Sequence, residues 1–222
     1  MGHIKKILNY KPDIIIVSEY GEGLWTAVLA RIIYRRKYKI ITICDDSLKI
    51  AQEYKGIRKV LRNIALRMID GIILCNEQAE NWYKEKYKIK TISFPIIQEE
   101  SEFRENEEQI VELAHEYIDS YKLSGKKVFL YVGRLAIEKN VEYLVQSFIG
   151  NHEKYPNSNL VLIGSVTKEN EYILSRIQKM IGEIDYVLYV GKKEGIELKA
   201  WYFVGQVLIL PSKYERFGAV VN

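Results

Sequence analysis

Residues 128–141 have the sequence VFLYVGRLAIEKNV, in which an unbroken apolar run stops at Gly133 and a polar loop follows. A continuous apolar run of this length is typical of a strand that is buried on both faces of a parallel sheet. Gly133 lets the backbone come close to a ligand, and Asn140 is a favourable N-cap for a following helix. The stretch therefore predicts a buried strand, an exposed loop at its carboxyl end, and a helix.

The same alternation recurs on both sides of this stretch. Short β-branched runs are followed by longer segments with apolar residues at helical spacing, which is the pattern of βα units around a parallel sheet. The predicted strands cover residues 13–18, 39–44, 71–75, 89–94, 127–132, 159–164, 186–190 and 207–211, and the predicted helices cover 23–34, 57–68, 77–86, 141–153, 169–181 and 194–203. The sequence therefore predicts an α/β protein with two Rossmann-like parallel-sheet domains.

An acidic segment separates the two sets of predicted strands. Residues 99–124 open with a run rich in glutamate, and apolar residues at helical spacing then predict a helix over residues 107–121. Because charge runs are usually solvated, this segment is predicted to be an interdomain linker. The predicted domains are then residues 1–98 and 125–222.

Composition excludes several other classes of protein. The chain has 222 residues, of which 48% are hydrophobic, and no apolar run approaches the roughly 18 residues of a membrane span. Its first residues lack the apolar core of a secretory signal, so we expect a cytoplasmic protein. Cys44 and Cys75 each close an apolar run, where a thiol usually acts as a small buried hydrophobe rather than as a disulfide partner or zinc ligand.

Charge is distributed unevenly along the chain. Residues 1–98 carry 18 Lys and Arg against 10 Asp and Glu, a net charge of +8, whereas the remainder carries 15 against 19, or −4. This imbalance favours either contact with anions or a solvated Lys-rich surface. No basic run is interleaved with aromatic residues, so nucleic acid is not expected as a partner. An anionic membrane surface is a possible partner of the predicted basic helix, through Lys55, Arg58, Lys59, Arg62 and Arg67.

Two cations follow the strand that ends at Gly133. Arg134 offers a planar fork of donors and Lys139 a mobile point charge, a combination suited to a diphosphate group. The alternative is that both are solvated surface charges.

A second informative segment, residues 207–222, has the sequence VLILPSKYERFGAVVN. The apolar run predicts a buried strand, which Pro211 ends. Glu215 then lies in the following loop, where a carboxylate can accept hydrogen bonds from sugar hydroxyls, and Gly218 permits backbone amides to approach a ligand. A lone loop glutamate is usually solvated, but ligands of parallel sheets bind at the carboxyl ends of the strands. Glu215 is therefore expected to line the same crevice as Gly133.

A metal site is not predicted. The three histidines of the chain share no common spacing. Asp45 and Asp46 form a carboxylate pair after a predicted strand, and a metal role for that pair remains the minor alternative.

Several short motifs of the second half, taken together, resemble those of the retaining family-4 glycosyltransferases of the GT-B fold. The matching motifs, which occur in the family's order and spacing, are Gly133-Arg134-Leu135, Glu138-Lys139-Asn140, and residues 160–164, 189–191, 197–202 and 211–218. They cover nearly all of residues 126–222. Residues 11–16 and 69–77 show a weaker resemblance to the later strands of the family's acceptor domain.

The resemblance implies transfer of a sugar from a nucleoside diphosphate sugar, with retention and without a metal or other cofactor. The acceptor would be a glycan, a lipid or a protein, and the setting bacterial polysaccharide or glycolipid synthesis. Residues 1–98 would be the acceptor domain and residues 125–222 the donor-binding domain.

The resemblance also assigns roles to individual residues. Arg134 and Lys139 match the positions that hold the departing diphosphate, and Glu215 matches the first glutamate of the family's pair, which contacts the donor sugar and is the candidate catalytic residue. Gly133, Phe217 and Gly218 match other residues that line the donor site.

Two departures from the family pattern are visible. The second glutamate of the pair would follow Asn222, and the first strand and glycine-rich loop of the family would precede residue 11, so we expect a chain truncated at both ends and inactive alone. Ser18-Glu19 stands where many members have a histidine.

Two other functions are associated with folds of this kind: dinucleotide-dependent oxidation and non-catalytic binding of nucleotide sugars. A dinucleotide-binding oxidoreductase would need a G-x-G-x-x-G motif after a strand, which the sequence lacks. A non-catalytic domain of the same fold that binds nucleotide sugars is the alternative from another class, and donor hydrolysis or transfer would discriminate the two.

Overall fold

A computed structural model describes residues 2–35, 37–94, 101, 105–215, 218 and 220, apart from the side chains of residues 2 and 3. The chain forms two compact units, Met1–Ile96 and Ile97–Asn222. Each unit contains a four-stranded sheet in which all pairings are parallel. The α/β class with two parallel sheets, predicted from the alternation of strands and helices, is therefore confirmed.

The first unit has its strands in the order of the chain, β1-β2-β3-β4. Its elements are α1 (Gly2–Tyr10), β1 (Ile14–Ser18), α2 (Glu22–Ile33), β2 (Lys39–Cys44), α3 (Leu48–Glu53), α4 (Gly56–Met68), β3 (Gly71–Leu74), α5 (Glu77–Tyr87) and β4 (Thr91–Ser93). The short helices α1 and α3 were not predicted from the sequence.

The second unit begins with a helix and has the strand order β7-β6-β5-β8. Its elements are α6 (Glu107–Ser120), β5 (Lys127–Val132), α7 (Val141–Asn151), β6 (Ser158–Ile163), α8 (Glu171–Ile181), β7 (Val187–Tyr189), α9 (Gly195–Val204) and β8 (Val207–Leu208). Short 3-10 turns lie at Ile137–Lys139, His152–Lys154 and Lys168–Asn170.

The two sheets differ in how their faces are covered. In the second unit all of β6 is buried, because α6 and α9 pack on one face of the sheet and α7 and α8 on the other. In the first unit side chains alternate: Ile40 and Ile72 lie in the core, whereas Ile14 and Ile92 are more than half exposed. Burial on both faces, which the continuous apolar runs predict, is therefore found in β6 and most of β5, whereas β7 and β8 are only partly buried. The prediction is wrong for β1, β2 and β4 of the first sheet, which keep exposed or half-exposed side chains.

Helix α6 belongs to the core of the second unit. Ile110 is fully buried in it, and the ring of Tyr117 stacks on that of Trp201 in α9, with centroids 4.7 Å apart. The prediction that residues 99–124 are a solvated linker is thus wrong from Glu107 onward. The apolar face that predicted the helix also requires a partner surface, and α9 provides it.

Two sequence-based expectations concern which side chains of the first unit are buried. Cys44 and Cys75 are buried free thiols, as predicted. Arg62 is buried rather than exposed: its guanidinium donates to the carbonyl of Ala51 at 2.6 Å and lies 4.3 Å from the ring centroid of Tyr54. Arg62 is therefore not part of a basic surface. Within the described residues, no helix is both long enough and apolar enough to cross a membrane.

Candidate functional site

Three strands of the second sheet end in glycine at the same edge. Gly133 follows β5, Gly164 follows β6, and Gly191 follows β7 closely. The amide of Gly133 donates to the carbonyl of Ile163 at 2.9 Å, and that of Gly164 donates to the carbonyl of Gly191 at 2.9 Å. A Cβ at position 164 would lie only 1.7 Å from the carbonyl oxygen of Gly133. The backbones thus approach more closely than any other residue type would allow.

A buried tyrosine hydrogen-bonds to the backbone of the loop after β5 and holds it in place. The hydroxyl of Tyr131 donates to the carbonyl of Arg134 at 2.7 Å, and the amide of Leu135 donates to the carbonyl of Ser165 at 2.8 Å. Burial, followed by the nearby carboxylates of Glu215 and Glu138, raises the pKa of Tyr131 well above its ordinary value. Because the hydroxyl stays protonated, it remains a donor and fixes the backbone from which the Arg134 side chain extends.

Asn140 does not cap the next helix in the way its sequence position predicted. Its backbone is left-handed, with φ 56° and ψ 31°, and its side chain makes no capping hydrogen bond. The residue instead ends the 3-10 turn Ile137–Lys139, since its amide donates to the carbonyl of Ile137 at 3.2 Å. Asparagine tolerates this left-handed conformation better than most residues, which explains its presence between the turn and α7.

Lys139 and Glu215 form an ion pair that joins two loops of the site. The Lys139 Nζ lies 2.6 Å from Oε2 of Glu215, and the two side chains are 17% and 26% exposed. The hydroxyl of Ser212 donates to the same oxygen at 2.9 Å. A backbone hydrogen bond of 2.9 Å, from the amide of Lys213 to the carbonyl of Glu138, ties the loops together a second time.

The charge state of Glu215 follows from these contacts. Partial burial alone would raise the pKa of Glu215, but the hydrogen bonds from Lys139 and Ser212, the Lys139 charge and a backbone hydrogen bond from Gly218 outweigh it. The pKa of Glu215 is therefore below its ordinary value, and the carboxylate is ionised at neutral pH.

Arg134 is placed differently from Lys139. Its side chain is 63% exposed, and its guanidinium lies 3.6 Å from a carboxylate oxygen of Glu138. Exposed ion pairs of this kind contribute about 0–1 kcal/mol, so Glu138 holds Arg134 only weakly. The guanidinium is therefore able to turn towards an anion at the strand ends.

The remaining predicted site residues lie at the end of the chain. Gly218 is buried, with a left-handed φ of 75° that favours glycine. Phe217 lies outside the described residues. The structure thus brings Lys139 and Glu215 into direct contact, and places Gly133 and Arg134 in the loop that Tyr131 supports.

Sequence reasoning missed three residues that shape this edge. Ser212 and Tyr131 hold Glu215 and the Arg134 loop, and Gly164 permits the close approach of two strand ends. A glycine directly after each of two neighbouring strands was the available signal for Gly164. The roles of Ser212 and Tyr131 depend on which loops meet in space, and no local pattern shows that.

Asp46, the second residue of the carboxylate pair in the first unit, has hydrogen-bond partners within the protein. Asp46 is fully buried and accepts hydrogen bonds from Tyr54 at 3.3 Å and from Tyr83 at 3.1 Å. These two hydroxyls supply hydrogen bonds that a buried carboxyl group needs. Among the residues that the structure describes, no group of three or more His, Cys, Asp or Glu side chains is placed to hold a metal ion.

Comparison with known proteins finds sequence and fold similarity to glycosyltransferases. Residues 115–222 match the family model described as "Glycosyl transferases group 1". This stretch is 108 of the 222 residues, just under half of the chain, and it contains β5 to β8 and the whole candidate site.

Two curated relatives are named as sugar transferases. An uncharacterized glycosyltransferase of Methanocaldococcus jannaschii is 34% identical over 95 residues, which is 43% of this chain and 24% of the relative. The alpha-D-kanosaminyltransferase of Streptomyces kanamyceticus is 28% identical over 106 residues, or 46% of this chain and 26% of the relative. The matched part is therefore about a quarter of the length of these relatives.

Solved structures share the fold over nearly the whole chain. Anabaena HepE in complex with UDP and glucose superposes with a TM-score of 0.77 at 14% identity, covering 98% of this chain and 58% of HepE. Sucrose-phosphate synthase from Thermosynechococcus elongatus gives a TM-score of 0.71 at 19% identity, covering 97% of this chain and 54% of the synthase. These neighbours are GT-B glycosyltransferases, so the two parallel sheets follow the GT-B plan.

Proposed function

We propose that the protein transfers a sugar from a nucleoside diphosphate sugar to a glycan, lipid or protein acceptor, with retention at the anomeric carbon and without a metal ion. The observation that carries the proposal is the pairing of Lys139 with Glu215 at the glycine-lined edge of the second sheet. The setting we propose is the synthesis of a polysaccharide or glycolipid.

The diphosphate is the part of the donor that Arg134 and Lys139 suit. A leaving diphosphate develops negative charge as the sugar departs, and fixed cations aimed at that charge lower the barrier. Arg134 is exposed and weakly held, so it can form a forked pair of hydrogen bonds with phosphate oxygens. Lys139 supplies a second charge, and it exchanges its contact with Glu215 for one with phosphate.

Glu215 then faces the sugar. Its low pKa keeps it a carboxylate, which accepts hydrogen bonds from sugar hydroxyls. The Ser212 hydroxyl holds the carboxylate in place while Lys139 moves to the diphosphate. Donor binding thus separates the ion pair into a cation for the leaving group and an anion for the sugar.

The test is calorimetric titration of Arg134→Ala and Lys139→Ala with nucleoside, nucleoside diphosphate and sugar donor. UDP is the first diphosphate to use, because HepE was solved with UDP and glucose. A hydrogen bond to a charged group contributes about 1.5–3 kcal/mol, so each variant should bind the diphosphate roughly 10- to 100-fold more weakly. The loss should be smaller for Lys139, whose charge Glu215 already neutralises, and binding of the bare nucleoside should barely change.

Two further variants complete the experiment. Lys154→Ala removes an exposed cation just before β6, at the opposite edge of the sheet, and should leave diphosphate affinity unchanged. Glu215→Gln should keep or raise that affinity, because Lys139 loses its competing partner, while reducing turnover of the donor. If Arg134→Ala and Lys139→Ala both bind diphosphate like the wild type, the site is misplaced.

A further inference from the structure

An apolar stripe on α4 faces away from the protein core. Ile57, Val60, Leu61 and Ile64 are 75%, 55%, 42% and 42% exposed, at the spacings of three and four residues that place side chains on one helical face. The core contacts of the helix come from a different face, on which Arg62, Ala65 and Leu66 are buried. Helix α4 therefore has an apolar surface in addition to the one that the fold uses.

A second apolar surface lies on the neighbouring helix. The last turns of α2 expose Leu29, Ile32 and Ile33, which are 50%, 56% and 63% exposed. The guanidinium of Arg31 in the same turns donates to the carbonyl of Met68 at the end of α4. The two helix ends therefore lie side by side, and we call these seven apolar residues of α2 and α4 the apolar patch.

The surroundings of the apolar patch are basic. The exposed cations on α4 and next to the two helices are Arg35, Lys37, Lys55, Arg58, Lys59 and Arg67. The sequence of α4, GIRKVLRNIALRM, contains no acidic residue, and residues 1–98 carry a net charge of +8. A surface that combines apolar and basic side chains in this way complements an anionic one.

We propose that the apolar patch and its basic rim dock the first unit on an anionic lipid bilayer. Helices that lie in a bilayer interface bury isoleucine and leucine side chains among the acyl chains, while lysine and arginine bind the headgroup phosphates. Both contributions are present here on adjacent helices. The docking surface is independent of the proposed sugar transfer, because it lies in the first unit and needs no donor.

Charge also argues against the simplest other occupant. A second copy of this chain that docked through the same patch would bring two surfaces of like charge together, which opposes such a symmetric dimer. A bilayer containing phosphatidylglycerol carries the opposite charge and attracts each nearby lysine or arginine.

The first experiment measures binding of the whole chain to vesicles of phosphatidylcholine alone and of phosphatidylcholine mixed with phosphatidylglycerol. We expect binding to the mixed vesicles only, and weaker binding as salt is raised. Each surface cation contributes about 1 kcal/mol, so the double substitution Lys55→Gln and Lys59→Gln should weaken binding about 20- to 30-fold. The matched control, Lys154→Gln with Lys179→Gln, removes two exposed lysines of the second unit and should leave binding within about twofold of the wild type.

The second experiment asks whether the apolar patch enters the bilayer. Leu61→Trp should show a blue-shifted emission with mixed vesicles and quenching by brominated lipid, whereas Phe203→Trp, at an exposed position of α9, should show neither change. Leu61 and Phe203 are both exposed, so neither substitution should destabilise the fold. Equal binding to neutral and mixed vesicles, or no quenching at residue 61, would overturn the proposal. A dimer in solution that Leu61→Gln dissociates would do so as well, by showing that a second copy covers the patch.

Discussion

At the scale of single residues, the candidate site is organised by the contact between Lys139 and Glu215. Neither side chain is fully buried, and the hydroxyl of Ser212 adds a second donor to the carboxylate. The pair keeps both charges ordered in the absence of an anion, so a diphosphate meets a cation already positioned at the strand ends. The roles of Gly133, Arg134, Lys139, Glu215 and Gly218 in donor binding stay predictions until the titrations are done.

The lowered pKa of Glu215 predicts how this contact depends on pH. A carboxyl group whose pKa is lower in the folded than in the unfolded protein stabilises the fold above its ordinary pKa, which is 4.5. That stabilisation is lost as the pH falls through the lowered pKa of the folded state. Glu215→Gln should therefore lower the free energy of unfolding at pH 7, by about 1 kcal/mol or less because solvent screens the pair, and this difference should shrink towards zero well below pH 4.5.

Urea unfolding of the wild type and of Glu215→Gln across this pH range measures the effect. Glu112→Gln is the control, because Glu112 is exposed on α6 and takes part in no ion pair among the residues that the structure describes. A pH-independent difference between the wild type and Glu215→Gln would mean that the carboxylate is not held by Lys139.

At the scale of elements, the ends of β5 and β6 approach so closely that only glycine fits at position 164. Gly164→Ala would place a methyl group 1.7 Å from the carbonyl oxygen of Gly133, against backbone that parallel pairing holds in place. Overpacking in a core typically costs about 1–3 kcal/mol, and a clash with backbone should cost at least the upper value. The strand ends would also separate, so affinity for the diphosphate should fall.

Gly150→Ala is the matched control for this substitution. Gly150 lies within α7, and a Cβ there would meet no atom within 4 Å. Alanine is the better helix former by about 1 kcal/mol, so this variant should be neutral or more stable. Chemical denaturation of both variants decides the matter, and a Gly164→Ala protein as stable as Gly150→Ala would show that the strand ends can separate without cost.

At the scale of the whole molecule, the two units expose surfaces of different chemistry. The second unit carries the candidate donor site, and the first carries the apolar patch with its basic rim. Hydrogen exchange should separate the two functions. A ligand at about 100 times its dissociation constant stabilises the unit that binds it by about 2.7 kcal/mol, which slows exchange through unfolding of that unit about 100-fold.

We expect UDP to slow exchange in residues 133–140 and 212–215 of the second unit, with no change in α4. Mixed anionic vesicles should slow exchange in α2 and α4 and leave residues 133–140 unchanged. Mass spectrometry of peptides after timed exchange measures both effects on the same protein. If UDP protected α4, or if vesicles protected the loop after β5, the assignment of the two functions to separate units would be wrong.

Much of this architecture could be predicted from local patterns. The eight strands were predicted because short apolar β-branched runs are bounded by polar or glycine residues, and continuous runs of this length are typical of strands in a parallel sheet. Apolar residues at spacings of three and four predicted helices α2, α4, α5, α6, α7, α8 and α9. Arg134, Lys139 and Glu215 were identified as candidates because each lies just after a predicted strand.

What the local pattern left open are properties that depend on neighbours in space. Lys139 and Glu215 are 76 residues apart and meet because β8 pairs with β5, an order that no segment encodes alone. Arg62 looks like a surface cation in its helix, but the rings of Tyr54 and Tyr83 enclose it. Periodicity shows which face of a helix is apolar, whereas burial depends on the elements that pack against that face. For this reason tertiary structure alone placed α6 in a core and left the apolar stripe of α4 exposed.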